Sequence, residues 1–338
     1  MWTEEKLNEL LTAPSDALVE DIKKIEGDII VLGATGKMGP SLCILAKNAI
    51  EKAGIQKKVI AVSRFSDPIA ADLLKSNGIE TISCDMSDPE QLAKLPEVPN
   101  VIFMAGRKFG TDGNEYLTWA MNAVLPAYVA EKYKNSRIVA FSSGNIYPIV
   151  PLHTGGCDES YKPEAIGEYT QSVLARERIF ENAAAKYGTK VLLYRLNFAV
   201  DLRYGVLYDM ANRIMKGEPI SVKTPCLNCI WQGSANEMAI RCLLHADSPA
   251  VKMNITGPEI ISIKKAAKQL GKYLGREPIF EGEEGDDAYL NDASLAMELF
   301  GYPSVPIHKL IRWQAEYILD GGRTLDKPTH FEERKGSY

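Results

Sequence analysis

The sequence predicts a doubly wound parallel α/β fold that carries a smaller C-terminal substrate lobe. Two patterns and one turn predict it. Short apolar runs recur through residues 28–200, and segments whose apolar residues have helical spacing separate them. Such runs read as strands buried on both faces, and their alternation with helices means parallel pairing through right-handed crossovers. The first run, Ile29-Ile-Val-Leu32, leads at once into Gly33, Gly36 and Gly39 and a helical pattern from Leu42. Ligands of such sheets bind beyond the carboxyl ends of the strands.

Residues 1–27 form a helical extension. Leu7, Leu10 and Leu11, then Leu18, Val19, Ile22 and Ile25, are spaced for two helices, broken at Pro14-Ser15, where Ser15 can cap the second. After the first strand the glycines have the spacing GxxGxxG. Strand, turn and helix start make a pyrophosphate cradle: glycines admit phosphate close to the backbone, and the helix N-terminus offers free N–H groups and a positive dipole end. Gly33, Thr35, Gly36, Lys37, Met38 and Gly39 are its candidate contacts, so the ligand expected is a dinucleotide.

The second strand, Lys58 to Arg64, ends in Ser63-Arg64. A carboxylate there would bind the adenosine ribose of NAD, whereas an arginine can hold the 2′-phosphate of NADP. With Lys37 inside the cradle, Arg64 tilts the expectation to NADP over NAD; the alternative is an arginine stacked on adenine or merely solvated. A third strand, Glu80–Cys84, ends in Asp85-Met86, and Ser87-Asp-Pro-Glu90 starts a helix. The fourth, Val101–Met104, ends in Ala105-Gly106, small enough to let a ligand pass close. A helix around Trp119 to Lys132 carries Asn122. The fifth strand, Arg137–Phe141, runs into Ser142-Ser-Gly-Asn-Ile-Tyr147; a helix from Glu168 to Tyr187 and a sixth strand, Lys190–Arg195, follow, with Asn197 just beyond. From 201 to 320 shorter helices and loops punctuated by Pro219, Pro225, Pro249 and Pro258 read as a lobe over the sheet's C-terminal edge. Residues 321–338 read as a polar, extended tail.

Bulk properties exclude several classes. The 338 residues carry a net charge of −5, with 46% hydrophobic and 25% charged residues and no block of like charge. That argues against nucleic acid or an anionic membrane as partner. No run has membrane-spanning length, and the N-terminus lacks a signal-peptide pattern. Six scattered cysteines read as reduced thiols of a cytoplasmic protein. Cys226 and Cys229 form a CxxC, but the only nearby partners, Cys242 and His245, fit no common zinc spacing, so no metal is expected. His153, in the loop 151–156, could line a pocket, but a solvated loop histidine is the better reading.

Together these landmarks resemble the extended short-chain dehydrogenase/reductase, or NAD-dependent epimerase/dehydratase, family over roughly residues 28 to 320. The resemblance rests on Gly33-Ala-Thr-Gly-Lys-Met-Gly39, Asp85, Ala105-Gly106, Asn122, Phe141-Ser-Ser-Gly-Asn-Ile-Tyr147 and Tyr169-Thr-Gln-Ser172, with Met253–Gly257 and Asn291–Ser294 further on. It implies a Rossmann-type fold and nucleotide binding, with Asp85 and Met86 toward the adenine, Ala105-Gly106 on the pyrophosphate side, and Asn122, Tyr169 and Asn197 among the cofactor contacts. It also implies catalysis by Ser143, which hydrogen-bonds the reacting oxygen, and Tyr169, the acid/base. The two helices carrying Asn122 and Tyr169 are by resemblance a homodimer's four-helix bundle.

Three departures matter. The family has a lysine four residues after the tyrosine, which lowers the phenol's pKa and holds the nicotinamide ribose; here that position is Val173. Arg176 and Arg178 follow, but a residue at i+7 lies about 10 Å along the axis, so direct replacement is not expected; Lys162 or Arg107 could approach from loops. The two stretches where sugar-nucleotide members place diphosphate-binding arginines read Lys223–Ser234 and Glu283-Glu-Gly-Asp286, with no arginine. Glutamate facing a diphosphate is repulsive. The expectation is therefore an NAD(P)-dependent oxidoreductase or epimerase on a small polyhydroxylated, sugar-like substrate and not a nucleotide sugar. The alternatives are a lyase or dehydratase working by transient oxidation, and a non-catalytic dinucleotide sensor.

Overall fold

The computed structural model describes residues 1–325, 327 and 329–336. Seven strands form the central sheet: β1 (Ile29–Leu32), β2 (Val59–Ser63), β3 (Glu80–Ser83), β4 (Asn100–Phe103), β5 (Arg137–Ser143), β6 (Lys190–Leu196) and β7 (Val251–Ile255). Their order is β7-β6-β5-β4-β1-β2-β3, every pair parallel. The order reverses between β1 and β4, so a crevice opens at their carboxyl ends. Alternation divides each strand between two cores: Ile29, Val31, Ala61 and Ile102 face one side, and Ile30, Leu32, Val62 and Phe103 the other.

The N-terminal segment forms α1 (Glu4–Thr12) and α2 (Asp16–Lys24), and the Ser15 hydroxyl accepts from the Leu18 N–H, capping α2. Flanking the sheet are α3 (Gly39–Lys52), α4 (Pro68–Ser76) and α5 (Pro89–Ala93). Three unbroken segments, Glu115–Trp119, the π-helical Ala120–Val124 and Leu125–Lys132, make up α6, and α7 is Glu168–Tyr187. The helix expected near Trp119 therefore starts earlier, and its Asn122 sits in the π turn. The remaining helices are α8 (Val206–Lys216), α9 (Gln232–Arg241), α10 (Ile263–Leu274), α11 (Ser294–Phe300) and α12 (Ile307–Leu319). Leu18 and Ile22 of α2 and the apolar faces of α3 and α9 cover one side of the sheet; Leu125 and Val129 of α6 and Phe180 of α7 cover the other.

Two expectations are revised. The segment 201–320 is not one continuous lobe: α9 packs on α3, and β7 adds a seventh strand to the sheet. Its run Val251-Lys-Met-Asn-Ile255 alternates and so lacks the continuous apolar signature. The N-terminal extension is also shared, because Trp2, Leu7 and Leu11 are buried in the lobe's core with Met210, Leu270 and Ile311. Trp2 meets Trp313 edge to face at 5.2 Å.

The tail, expected to be extended, has neither helix nor strand among its described residues, yet it is docked. Thr329 donates from its N–H and its hydroxyl to the Asp209 carboxylate at 2.8 and 2.5 Å, Phe331 is buried, and Arg334 pairs with Asp287. Behind the site, Glu177 of α7 and Arg195 of β6 form a fully buried ion pair at 2.7 Å, and Tyr147 and Ser142 share its hydrogen bonds. This network ties the α7 helix to the strands whose ends carry the chemistry.

Candidate active site

The three glycines of the first turn do different work. Gly33 has φ +93°, and a Cβ there would lie 2.6 Å from the Ala105 nitrogen, so glycine is what lets the ends of β1 and β4 pass. A Cβ on Gly39 would overlap the Ala34 carbonyl, with the carbonyl carbon 2.6 Å away. Gly36 is the opposite case: a Cβ there would meet only the Gly33 oxygen, at 3.4 Å. Its free side is open, and no side chain caps the start of α3. An open glycine face before an uncapped helix N-terminus fits a pyrophosphate.

At the carboxyl ends of β2 and β3, the Thr35 and Ser63 hydroxyls are hydrogen-bonded at 2.6 Å, Arg64 is exposed, Asp85 is half-buried and Met86 is buried. Lys37 does not join Arg64. Its ammonium stacks on the Tyr204 ring, 3.0 Å from the centroid, and the charges it feels are those of Lys108, Asp201, Lys327 and Asp209. The expected shared grip on a 2′-phosphate is corrected accordingly, because the aromatic face of the lobe attracts the cation across the crevice. Desolvation, then the charge of Lys108, pushes the Lys37 amine down to about 7. Its residue keeps an exposed flank at the mouth, which limits that push.

The catalytic end is built by β5, α6 and α7. Ser143 ends β5 and Tyr169 lies in the first turn of α7; both line one cavity, and the Ser143 hydroxyl accepts from the Asn145 N–H at 3.1 Å. Burial raises the Tyr169 phenol's pKa, while the charge of Arg176 and the Ser143 hydrogen bond act against the rise. Asn122, turned inward by the π turn, donates to the Arg107 carbonyl and the Ser172 hydroxyl, and its Oδ1 accepts from the Arg107 N–H and from Arg176. Arg176, seven residues beyond Tyr169, is buried and lines the same cavity: a helical side chain projects toward the N-terminus and recovers part of the axial separation.

One cavity of about 270 Å³ joins these parts. Of the residues singled out from sequence, Gly33, Gly36, Lys37, Met38, Gly106, Arg107, Asn122, Ser143, Tyr169 and Arg176 line it. Thr35, Gly39, Ser63, Arg64, Asp85, Met86 and Ala105 do not; they support the turn or stand at the adjacent strand ends. Asn197 is buried beside Gly144 with both side-chain amide atoms unpartnered. His153 and Lys162 are exposed and outside the lining. Sequence reasoning missed Lys108, Phe198, Tyr204 and Thr329, which loops, lobe and tail deliver from distant positions. None of these four carries a local signal, because each reaches the cavity from a part of the chain with no motif of its own.

Among the described residues no group of three His, Cys, Asp or Glu side chains is placed to hold a metal, and no helix is long and apolar enough to cross a membrane. All six cysteines are free, and only Cys226 is not buried.

The sheet order, the glycine turn and the Ser–Tyr pair across one cavity define a dinucleotide-binding α/β protein of the short-chain dehydrogenase type. The profile of the NAD dependent epimerase/dehydratase family matches residues 29–247, more than half of the chain, and the chain belongs to that family. Its fold is similar to that of UDP-glucuronic acid 4-epimerase from Bacillus cereus, solved with NAD (18% identity, 87% of this chain and 99% of that one, TM-score 0.71). It is also similar to the UDP-Glc/GlcNAc 4-epimerase of Campylobacter jejuni (19%, 86% and 98%, TM-score 0.70) and to the UDP-glucose 4-epimerase of Thermus thermophilus with NAD (18%, 86% and 99%, TM-score 0.67). At these identities the likeness is one of fold. No curated protein matches the sequence.

Proposed function

We propose that the protein is an NAD(P)-dependent oxidoreductase or epimerase acting on a small polyhydroxylated, sugar-like molecule. The observation that carries this reading is that Ser143 and Tyr169 share one cavity with the open glycine turn. The turn Gly33–Gly39 would receive the pyrophosphate; Thr35, Ser63 and Arg64 the adenosine ribose; Asp85 and Met86 the adenine; and Gly106, Asn122 and Asn197 the nicotinamide half. Bound there, the cofactor supplies a hydride acceptor or donor. Tyr169 exchanges the proton of the substrate hydroxyl, and Ser143 holds that oxygen by a hydrogen bond. The exposed Arg64, at the strand end where a carboxylate would select NAD, favours NADP.

The size of the site supports a small substrate. Thr329, anchored on Asp209, lines the cavity on the lobe side. Neither Lys223–Ser234 nor Glu283–Asp286 contributes to the lining, and Glu284 is paired with Lys264 at 2.9 Å. The solved neighbours named for UDP-sugars share the fold at under one-fifth identity, which leaves the substrate to the residues of this cavity. Buried thiols support a reducing, cytoplasmic setting. A homodimer through α6 and α7 is supported by exposed Tyr116, Val124 and Tyr128, all on α6.

The test is turnover of NAD⁺ and NADP⁺ with a panel of polyols and sugar acids by wild type and Tyr169→Phe. Burial raises the phenol, so its deprotonated form grows toward alkaline pH, and oxidation should climb with pH in wild type only. An identical pH–rate profile in Tyr169→Phe would remove tyrosine from the chemistry. Net NAD(P)H formation separates an oxidoreductase from a lyase or epimerase that returns its cofactor unchanged.

A further inference from the structure

We infer that Arg176, two helical turns beyond Tyr169, takes the place of the absent lysine as the cation that serves the phenol. The inference rests on the reading of Tyr169 as the acid/base. It concerns a positioning residue that acts on Tyr169 and lines the same cavity.

Position 173 offers no such cation. Val173 is 2% exposed and packs with Ile146, Tyr147, Val150, Cys157 and Leu290, an apolar setting that would penalise an ammonium group. Position 176 offers one. Seven residues bring a helix back to within about 20° of the same face, and the side chain leans back toward the first turn. The guanidinium reaches under Gly106, where an added Cβ would stand 2.7 Å from Nη2. It therefore lies at the small-residue end of β4, in the lining of the cavity that also holds Ser143 and Tyr169.

The geometry holds the group rigidly and leaves its charge available. Nη1 donates to the Phe141 carbonyl at 2.7 Å, Nη2 to Asn122 Oδ1 at 2.8 Å, and the guanidinium stands 5.3 Å from the Phe103 ring centroid. Among the described residues no carboxylate makes an ion pair with it; its neighbour Glu177 is engaged by Arg195 at 2.7 and 2.9 Å. A buried cation without a paired anion is costly unless it has a partner elsewhere, and the tyrosinate that forms in proton transfer is that partner. Burial lowers the Arg176 pKa, to about 10, so it stays charged at neutral pH. Among the described residues, other titratable groups beside Tyr169 or in the same cavity include Lys108, 5.7 Å from its ring centroid, Tyr204, on which Lys37 stacks, and Arg107.

The test needs no turnover. In cofactor-free protein labelled with ¹³C-tyrosine, the Tyr169 Cζ resonance is assigned by its loss in Tyr169→Phe and followed from pH 8 to the alkaline limit of the fold, a higher midpoint being read as a smaller deprotonated fraction at a given pH. Arg176→Gln should raise the Tyr169 midpoint by about one to three pH units, the effect of losing an adjacent opposite charge. Arg176→Lys, which keeps the charge but not the two-point hold, should raise it by less. If Arg176→Gln does not fold, Arg176→Lys carries the test, and a midpoint equal to wild type overturns the inference. An unmoved midpoint in Arg176→Gln beside a Tyr169-dependent wild-type turnover rejects Arg176 and leaves the proposed function standing. A moved midpoint in a protein with no turnover does the reverse.

Discussion

Gly36 and Gly39 lie three residues apart in one motif, and the structure assigns them opposite consequences. Valine at Gly36 places its side chain on the open side of the turn, where only the Gly33 oxygen comes within 4 Å, at 3.4 Å. The backbone there is not left-handed, so folding stability should change by no more than about 0.5 kcal/mol, as for other substitutions away from packed features. The branched side chain would occupy the space a pyrophosphate needs. Losing two hydrogen bonds to a charged group, at about 1.5–3 kcal/mol each, weakens binding about 10²–10⁴-fold. Alanine at Gly39 has the reverse effect: its methyl overlaps the Ala34 carbonyl at the packing of α3 on the turn, an overpacking worth about 1–3 kcal/mol of stability. Urea unfolding and titration calorimetry with NADH and NADPH read both arms. Undiminished affinity in Gly36→Val refutes the cradle, and a Gly39→Ala protein as stable as wild type refutes the division of labour among the glycines.

Two other outcomes follow from the surfaces beside the cavity. Arg64→Ala should cost about 1.5–3 kcal/mol in NADPH binding and leave NADH unaffected, whereas Lys37→Met, whose ammonium sits on Tyr204, should not change the preference between them; equal losses for both cofactors in Arg64→Ala would assign that arginine to adenine or to structure. Sedimentation at micromolar concentration should give a dimer that Val124→Glu on the outer side of α6 converts to monomer, and a monomeric wild type contradicts the helical interface.

Much of this protein is legible in its sequence because the signals are local. Ile29–Leu32, the three glycines and the opening of α3 lie within one stretch, and burial of a strand on both faces, a phosphate-sized turn and a free helix end are each decided by neighbours in the chain. The same holds for Ser15 as a cap and for Tyr169 in the first turn of a helix. Handed crossovers then leave few orders in which those strands can assemble.

Tertiary structure alone decided where long side chains and distant segments end up. Lys37 belongs to the cradle by sequence, yet its ammonium lies on Tyr204, a residue that reaches the crevice only when the lobe folds over the sheet. Arg176 looked too far from Tyr169 when measured along the helix axis; its hydrogen bonds to Phe141 and Asn122, from β5 and the π turn of α6, direct it into the cavity. β7 has too little apolar continuity to be read as a strand, and its pairing with β6 supplies what its own pattern lacks. Thr329 enters the site because Asp209 anchors it. The chain encodes backbone elements in residues that are neighbours in sequence, but a flexible side chain's charge and a tail's position depend on groups far apart in the chain, which only packing brings within reach.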